Sequence, residues 1–327
     1  MERKQLGTGG PLVSAIGWGC LGLTGGYGGI EEAVALALVR EAVDRGVSFL
    51  DTADFYGGGS VERLLGRALA GRRDEAVIAT RGGVIFSGAG RPTAFDGSPA
   101  FLRRACEASL RRLGTDHIDL YYLARVDPAV PVEESVGGLA ELVAEGKIRH
   151  IGLSEVPADV LRRAHAVHPV AAVASEYSLW SRDVEDQVLP AARDLGVGLV
   201  ACSPLGRGFL TGMLSADGLA ADDYRRNHPR FEPANARHNR TLLAEVAEVA
   251  ADAGIPLGRI ALAWVLAQGA DVVPIPGTVR RVHLLENIAA VTERLGPAHL
   301  ERLAACFPAD AIAGSRLPRR PARPRPA

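Results

Sequence analysis

Eight short apolar runs rich in Val, Ile and Leu recur along the chain, near residues 14–18, 47–51, 76–80, 118–123, 148–153, 171–175, 197–202 and 271–275. Continuous apolar runs of this length are what strands covered on both faces look like. The covering segments lie between them, with apolar residues at helical spacing over 31–45, 60–70, 98–113, 133–145, 157–167, 184–195, 240–252 and 280–293, plus an extra helix at 257–267. Ser98-Pro99 and Pro157-Ala158-Asp159 supply start signals for two of these helices. Eight βα units predict a closed (β/α)8 TIM barrel and not an open sheet. No GxGxxG follows the first run, which leaves a Rossmann nucleotide site without support.

A chain of 327 residues fits around one such core, so residues 1–315 are expected to form a single domain. Two segments inside it break the alternation. RKQLGTGGPLV, residues 3–13, reads as a β-hairpin with a Gly-rich turn that caps the N-terminal end of the barrel. The stretch 204–239 after the seventh strand lacks periodicity and is expected to be a long functional loop. The Pro/Arg-rich end, RLPRRPARPRPA over 316–327, is expected to be a disordered tail.

Composition narrows the partners. A formal charge of −1 argues against nucleic acid and acidic membranes, and no run of eighteen apolar residues or signal-like N-terminus is present. Cys20, Cys106, Cys202 and Cys306 lack metal-ligand spacing, which predicts free thiols in a reducing cytoplasm and no metal. A cytoplasmic monomer or small homo-oligomer acting on a small molecule is the expectation.

In a barrel of this kind the reacting groups stand where strands end. FLDTADFYGGGS, residues 49–60, places Asp51 at the end of the second strand and Tyr56 in the turn after it, and Arg81 ends the third strand. A cation beside a phenol favours the phenolate, and a carboxylate holds the cation in place, so the three groups can move a proton near neutral pH. Spacing alone equally allows Asp51 to cap its loop and pair with Arg81 while Tyr56 packs. Trp18, Tyr27, Phe86 and residues near Trp180 fall in or near the mouth loops, where aromatic walls suit an apolar substrate and packing under a loop would look the same.

FLDTADFYGGGSVERLLGRAL, RRLGTDHIDLYYL, GKIRHIGLSE, SPLGRGFLTG and PIPGTVRRVHLLEN occur in this order. Together they resemble the aldo-keto reductase superfamily over roughly residues 2–308. The resemblance implies a barrel that binds NADPH, with NADH not excluded, and transfers hydride to a carbonyl carbon. Of the family's Asp-Tyr-Lys-His tetrad, Asp51 and Tyr56 are kept, Arg81 stands at the Lys position and Ala124 at the His position. The resemblance further assigns Gly19, Cys20, Asp51, Ser154, Cys202, Ser203, Leu205, Arg207, Gly277, Thr278, Arg281, His283, Glu286 and Asn287 to the cofactor. Ser154 falls at the carboxamide, Cys202 at the stacking position under the nicotinamide, and Arg280 and Arg281 near the 2′-phosphate.

The two tetrad changes differ in consequence. Guanidinium keeps its charge at any working pH and cannot relay a proton, although only Lys4 and Lys147 are lysines among 37 basic residues, so Arg81 also fits drift at a site needing charge alone. Ala124 removes a donor to the substrate oxygen and is expected to leave a space beside the nicotinamide. Three readings follow: reduction of a C=O, C=N or conjugated C=C in a small, largely apolar substrate with Tyr56 as proton donor; redox-neutral elimination, epimerisation or cyclisation with Tyr56 as base; or a non-catalytic nucleotide-binding barrel. The first is the favoured expectation, and the unusual tetrad points to specialised metabolism.

Overall fold

The computed structural model describes residues 1–24, 30–87, 91–214, 219 and 223–316, so Tyr27 and residues 317–327 of the expected tail lie outside the described residues. The chain opens with a two-stranded antiparallel hairpin, β1 (Arg3–Gln5) and β2 (Leu12–Ser14). The barrel follows as β3 (Trp18–Gly19), α1 (Glu32–Asp44), β4 (Phe49–Asp51), α2 (Ser60–Ala68) and β5 (Val77–Gly82). A second hairpin, β6 (Val84–Ser87) and β7 (Arg91–Phe95), precedes α3 (Pro99–Leu113), β8 (Ile118–Leu123), α4 (Val132–Ala144), β9 (Ile148–Ser154), α5 (Ala158–Val167) and β10 (Val170–Glu176). The chain then runs through α6 (Val188–Asp194), β11 (Gly198–Cys202), α7 (Pro233–Ala253), α8 (Leu257–Leu266), β12 (Val272–Pro274), α9 (Arg281–Ala289) and α10 (Pro297–Cys306).

Eight strands form one parallel sheet in the order β12-β11-β10-β9-β8-β5-β4-β3. Gly17 N donates to Pro274 O at 2.9 Å, bringing the first and last strands together and closing the barrel as the sequence predicts. Side chains alternate across the wall because successive strand residues point to opposite faces. Phe49, Ala79, Leu120, Tyr122, Ala174, Val200 and Val273 fill the interior, while Leu50, Ile78, Tyr121, Leu153 and Leu199 pack outward under the helices. Leu6 and Val13 of the N-terminal hairpin join the interior cluster, so the hairpin closes one end with apolar side chains.

Helix ends follow local chemistry. Ser98 Oγ accepts from Phe101 N at 3.3 Å, Pro99 opens α3, and Gly114 ends it in the left-handed region. Three sequence readings need correction. The first barrel strand is Trp18–Gly19, because residues 12–14 pair with β1 and not with the barrel. The hairpin after β5 was unforeseen. The segment 204–239 is not one loop: short 3-10 turns occupy 206–211, 224–227 and 229–231, and α7 already begins at Pro233. Its first turns read as loop because they are polar, yet Asn239 is fully buried and its side-chain amide exchanges two 2.9 Å hydrogen bonds with the backbone of Ala313.

Among the described residues no single helix is long and apolar enough to cross a membrane, and no cluster of His, Cys, Asp and Glu is arranged to hold a metal.

Candidate active site

Asp51 is the last residue of β4 and Arg81 the fifth of β5, strands that pair in register with Asp51 opposite Ala79. This puts both side chains at the end of the barrel where the strands finish. There the Arg81 guanidinium forms a direct ion pair with Asp51, donates to Thr52 O at 3.2 Å and Ser154 Oγ at 3.3 Å, and lies 4.7 Å above the Tyr122 ring. Gly152 on the neighbouring strand leaves room for that ring, since a Cβ there would overlap Tyr122.

The pair is almost wholly buried, Asp51 at 2% and Arg81 at 6% exposure. Burial pushes the Asp51 carboxyl up to about 6 while Arg81 pulls it back, so the pair is ionic at neutral pH. Arg81 itself is opposed by burial, but the combined pull of Asp51 and the nearby Tyr56, Cys202 and Tyr122 groups holds it above its ordinary value.

Tyr56 opens the turn that follows β4, and Gly57, Gly58 and Gly59 after it all have positive φ (57°, 59° and 81°), a run that only glycine adopts without strain. The turn carries the phenol into the field of Arg81. Phe55 and Phe86 stack with centroids 4.9 Å apart, and Phe55 meets Tyr56 edge-on at 5.2 Å, forming an aromatic wall beside the phenol. Phe86 is 37% exposed and open to the mouth, whereas Trp18 is 1% exposed and core-packed. Trp180 is also packing: it stacks on Phe209 at 4.0 Å and is covered by Arg230.

Ala124 is buried, and the residue next to it is the one that matters. Arg125 folds its guanidinium back to Ala124 O at 2.6 Å and to Ser154 Oγ at 3.2 Å. Its charge is felt by Tyr56, Arg81, Glu155 and Cys202. Sequence reading passed over Arg125, and Phe55 with it; the only signal was Arg125's place two residues past the end of β8.

The residues assigned to a dinucleotide fall into two groups. Ser154 ends β9 and Cys202, followed by Ser203, ends β11, one on each side of β10, and the Gly19 and Gly277 backbones approach so closely that a Cβ on Gly277 would lie 2.8 Å from Gly19 O. Ser203, Arg207 and Glu155 are the three described non-glycine residues with positive φ, a costly backbone state concentrated at this mouth. Arg207 holds Glu176 with two hydrogen bonds of 2.8 and 2.7 Å, and the half-buried Leu205 side chain packs against the core. Burial raises the Cys202 thiol to about 12 and the Cys20 thiol further, so neither is a thiolate.

The second group lies at the start of α9. Thr278 Oγ1 accepts from Arg280 N at 3.1 Å, Asn287 is buried and His283 is exposed. Arg281 is held by Glu41 of α1 through two 2.7 Å hydrogen bonds, and Glu286 by Arg259 at 2.7 and 3.0 Å. Those pairs join residues far apart in the chain and were invisible in the sequence.

A nicotinamide dinucleotide fits this set. Asp51 Oδ2 is a buried polar atom without a hydrogen-bond partner, and Ser203 and Arg207 hold a costly positive-φ backbone at the same end of the barrel.

Known proteins share this fold. The aldo/keto reductase family profile matches residues 15–307. The Probable aldo-keto reductase 1 of Glycine max is 42% identical over 318 residues, covering 97% of this chain and 92% of that protein. The glycerol dehydrogenase AKR11B4 of Gluconobacter oxydans superposes with a TM-score of 0.84 at 28% identity, covering 93% of this chain and 94% of the other. An aldo/keto reductase from Klebsiella pneumoniae, solved in complex with NADP and acetate, gives 0.73 at 27% identity over 94% and 96%. Barrel and sequence converge: the chain belongs to the aldo/keto reductase family of oxidoreductases.

Proposed function

We propose that the protein is an NADP(H)-dependent reductase that delivers hydride to a C=O, C=N or conjugated C=C of a small, largely apolar substrate, with Tyr56 as proton donor. One observation carries the reading: Arg81, a buried cation clamped by Asp51, stands at the mouth of the barrel, and the glycine turn that opens with Tyr56 follows the strand that ends in Asp51. The Klebsiella relative solved with NADP supports the cofactor.

Ser154, Ser203, Gly277 and the backbone through Arg207 would hold the dinucleotide, and the N-terminus of α9 with Arg280 would face its 2′-phosphate. With Arg281 committed to Glu41, NADH is not excluded. When bound, the nicotinamide supplies the hydride. Tyr56 gives its O–H proton to the substrate heteroatom or carbanion as charge develops there, and the resulting phenolate is stabilised by Arg81. Arg81 holds charge without titrating, so the phenol regains its proton from solvent and not from Arg81. Asp51 keeps the guanidinium aimed. The Phe55–Phe86 wall takes the apolar part of the substrate. Ala124 offers no donor to the reacting oxygen, which favours carbons already electrophilic, such as iminium carbons or activated carbonyls.

The purified protein with NADPH and a panel of aldehydes, ketones and cyclic imines is expected to consume the cofactor and to shift the substrate mass by two hydrogens. Altered substrate with NADPH unchanged would replace this reading by base chemistry at Tyr56. Tight NADPH binding with neither change would make the barrel a binding protein.

A further inference from the structure

We propose that Arg125 is a specificity-determining residue whose guanidinium receives a carboxylate carried by the carbonyl substrate; the proposal rests on the hydride-transfer reading above and names its substrate class. The charges at the mouth can be followed group by group. Asp51 is paired with Arg81. Glu176 is held by Arg207 and accepts from Ser181 Oγ at 2.8 Å. Glu155, the carboxylate whose field reaches Arg125, is engaged elsewhere: its Oε1 accepts from Glu176 N at 2.8 Å and its Oε2 from Arg316 at 2.8 Å.

Arg125 is the cation left over. Its hydrogen bonds go to two neutral oxygens, Ala124 O and Ser154 Oγ, and among the described residues no carboxylate stands at ion-pair distance from it. Ser154 Oγ is also the acceptor for Arg81, so two guanidinium groups converge on one hydroxyl. A partly desolvated cation next to a second cation is a costly arrangement, and burial followed by Arg81's repulsion lowers its proton affinity against the pull of Glu155. An incoming anion removes that cost.

Position supplies the rest. Arg125 shares the Ser154 hydroxyl with Arg81, the cation clamped by Asp51, which puts its charge at the same end of the barrel as the reacting groups. The dinucleotide's phosphates belong to the far strands, β11 and β12, whereas Arg125 follows β8, with β9 and β10 between. The anion that fits here therefore belongs to the substrate. The implied substrate has an apolar body against Phe55 and Phe86, a carbonyl at Tyr56 and a carboxylate at Arg125.

The test uses two carbonyl acids, 4-carboxybenzaldehyde and 2-oxo-2-phenylacetate, each against its methyl ester, with NADPH and the full-length enzyme. The acids are expected to be preferred in kcat/KM. Arg125→Met is expected to reduce the acid-to-ester ratio about 10–100-fold, chiefly through KM, and Arg125→Lys to recover part of it. Calorimetry with benzoate and the NADP-loaded protein gives an independent readout: binding weakens in Arg125→Met and with added salt. A ratio and a benzoate affinity that Arg125→Met leaves unchanged would overturn the proposal. Failure of every wild-type reduction would instead defeat the hydride-transfer reading, and the benzoate comparison would still decide whether Arg125 binds carboxylate.

Discussion

The Asp51–Arg81 pair makes an asymmetric prediction, because one partner can lose its charge at accessible pH and the other cannot. In Asp51→Asn the guanidinium remains buried with Thr52 O at 3.2 Å and Ser154 Oγ at 3.3 Å as its neutral acceptors. Removing one member of a buried pair costs about 3–5 kcal/mol, and since Arg81 stays charged the cost is flat above pH 6. Arg81→Met behaves differently. Burial already lifts the Asp51 carboxyl to about 6 against the pull of Arg81, and without that pull it rises further. A carboxyl raised on folding favours the protonated native state, so its contribution is full below the unfolded value near pH 3.9 and is lost as pH climbs to the folded one. In the wild type that loss is complete just above pH 6; in Arg81→Met it continues, at about 1.4 kcal/mol per pH unit. The Arg81→Met penalty is therefore expected to grow by about 2–3 kcal/mol between pH 6 and pH 8. Urea melts of wild type and both variants at pH 6, 7 and 8 measure it, because titrations common to the three chains cancel. The Asp51→Asn/Arg81→Met double variant is expected to regain most of the stability. An Arg81→Met penalty equal at pH 6 and pH 8 would refute the reasoning, since Asp51 would then not be the group that Arg81 keeps ionised.

Other expectations follow from the same geometry. Tyr56→Phe should lower kcat of any proton-transfer-dependent reduction by about 10²–10⁴-fold, and an undiminished steady-state rate would remove Tyr56 from the mechanism. Ala124→His combined with Arg81→Lys should raise reduction of ordinary aldehydes; no gain would mean that Arg125 and the aromatic wall dominate the site. Gly152→Ala places a methyl group in the Tyr122 ring, the platform beneath Arg81, and should cost about 1–3 kcal/mol, read as a lowered melting temperature. A Gly152→Ala chain that melts with the wild type would show that the ring can move aside.

The elements legible in advance were those whose signal is local. Strands such as Ile118–Leu123 announce themselves as apolar runs because both faces are covered, and the residues just beyond such runs must stand at the mouth whatever the rest of the chain does. That logic found Asp51 and Arg81, and the structure brings them into contact. It failed where polar residues have structural partners: the start of α7 looked like loop because Asn239 is polar, and it is buried because Ala313 satisfies it. The partners of Arg281 and Glu286, Glu41 and Arg259, were likewise not legible, because they come from distant helices.

The sequence by itself determined the barrel, its hairpin cap and the placement of Asp51 and Arg81 at two strand ends, because periodicity and the ends of apolar runs are properties of neighbouring residues. Tertiary structure alone decided which charges are neutralised. Whether Arg125 meets a paired carboxylate or only neutral oxygens depends on what engages the two oxygens of Glu155, and Arg316, 161 residues away along the chain, takes one of them. Electrostatic pairing acts through space and leaves no periodic trace in sequence, so the residue proposed here to choose the substrate became visible only once the chain was folded.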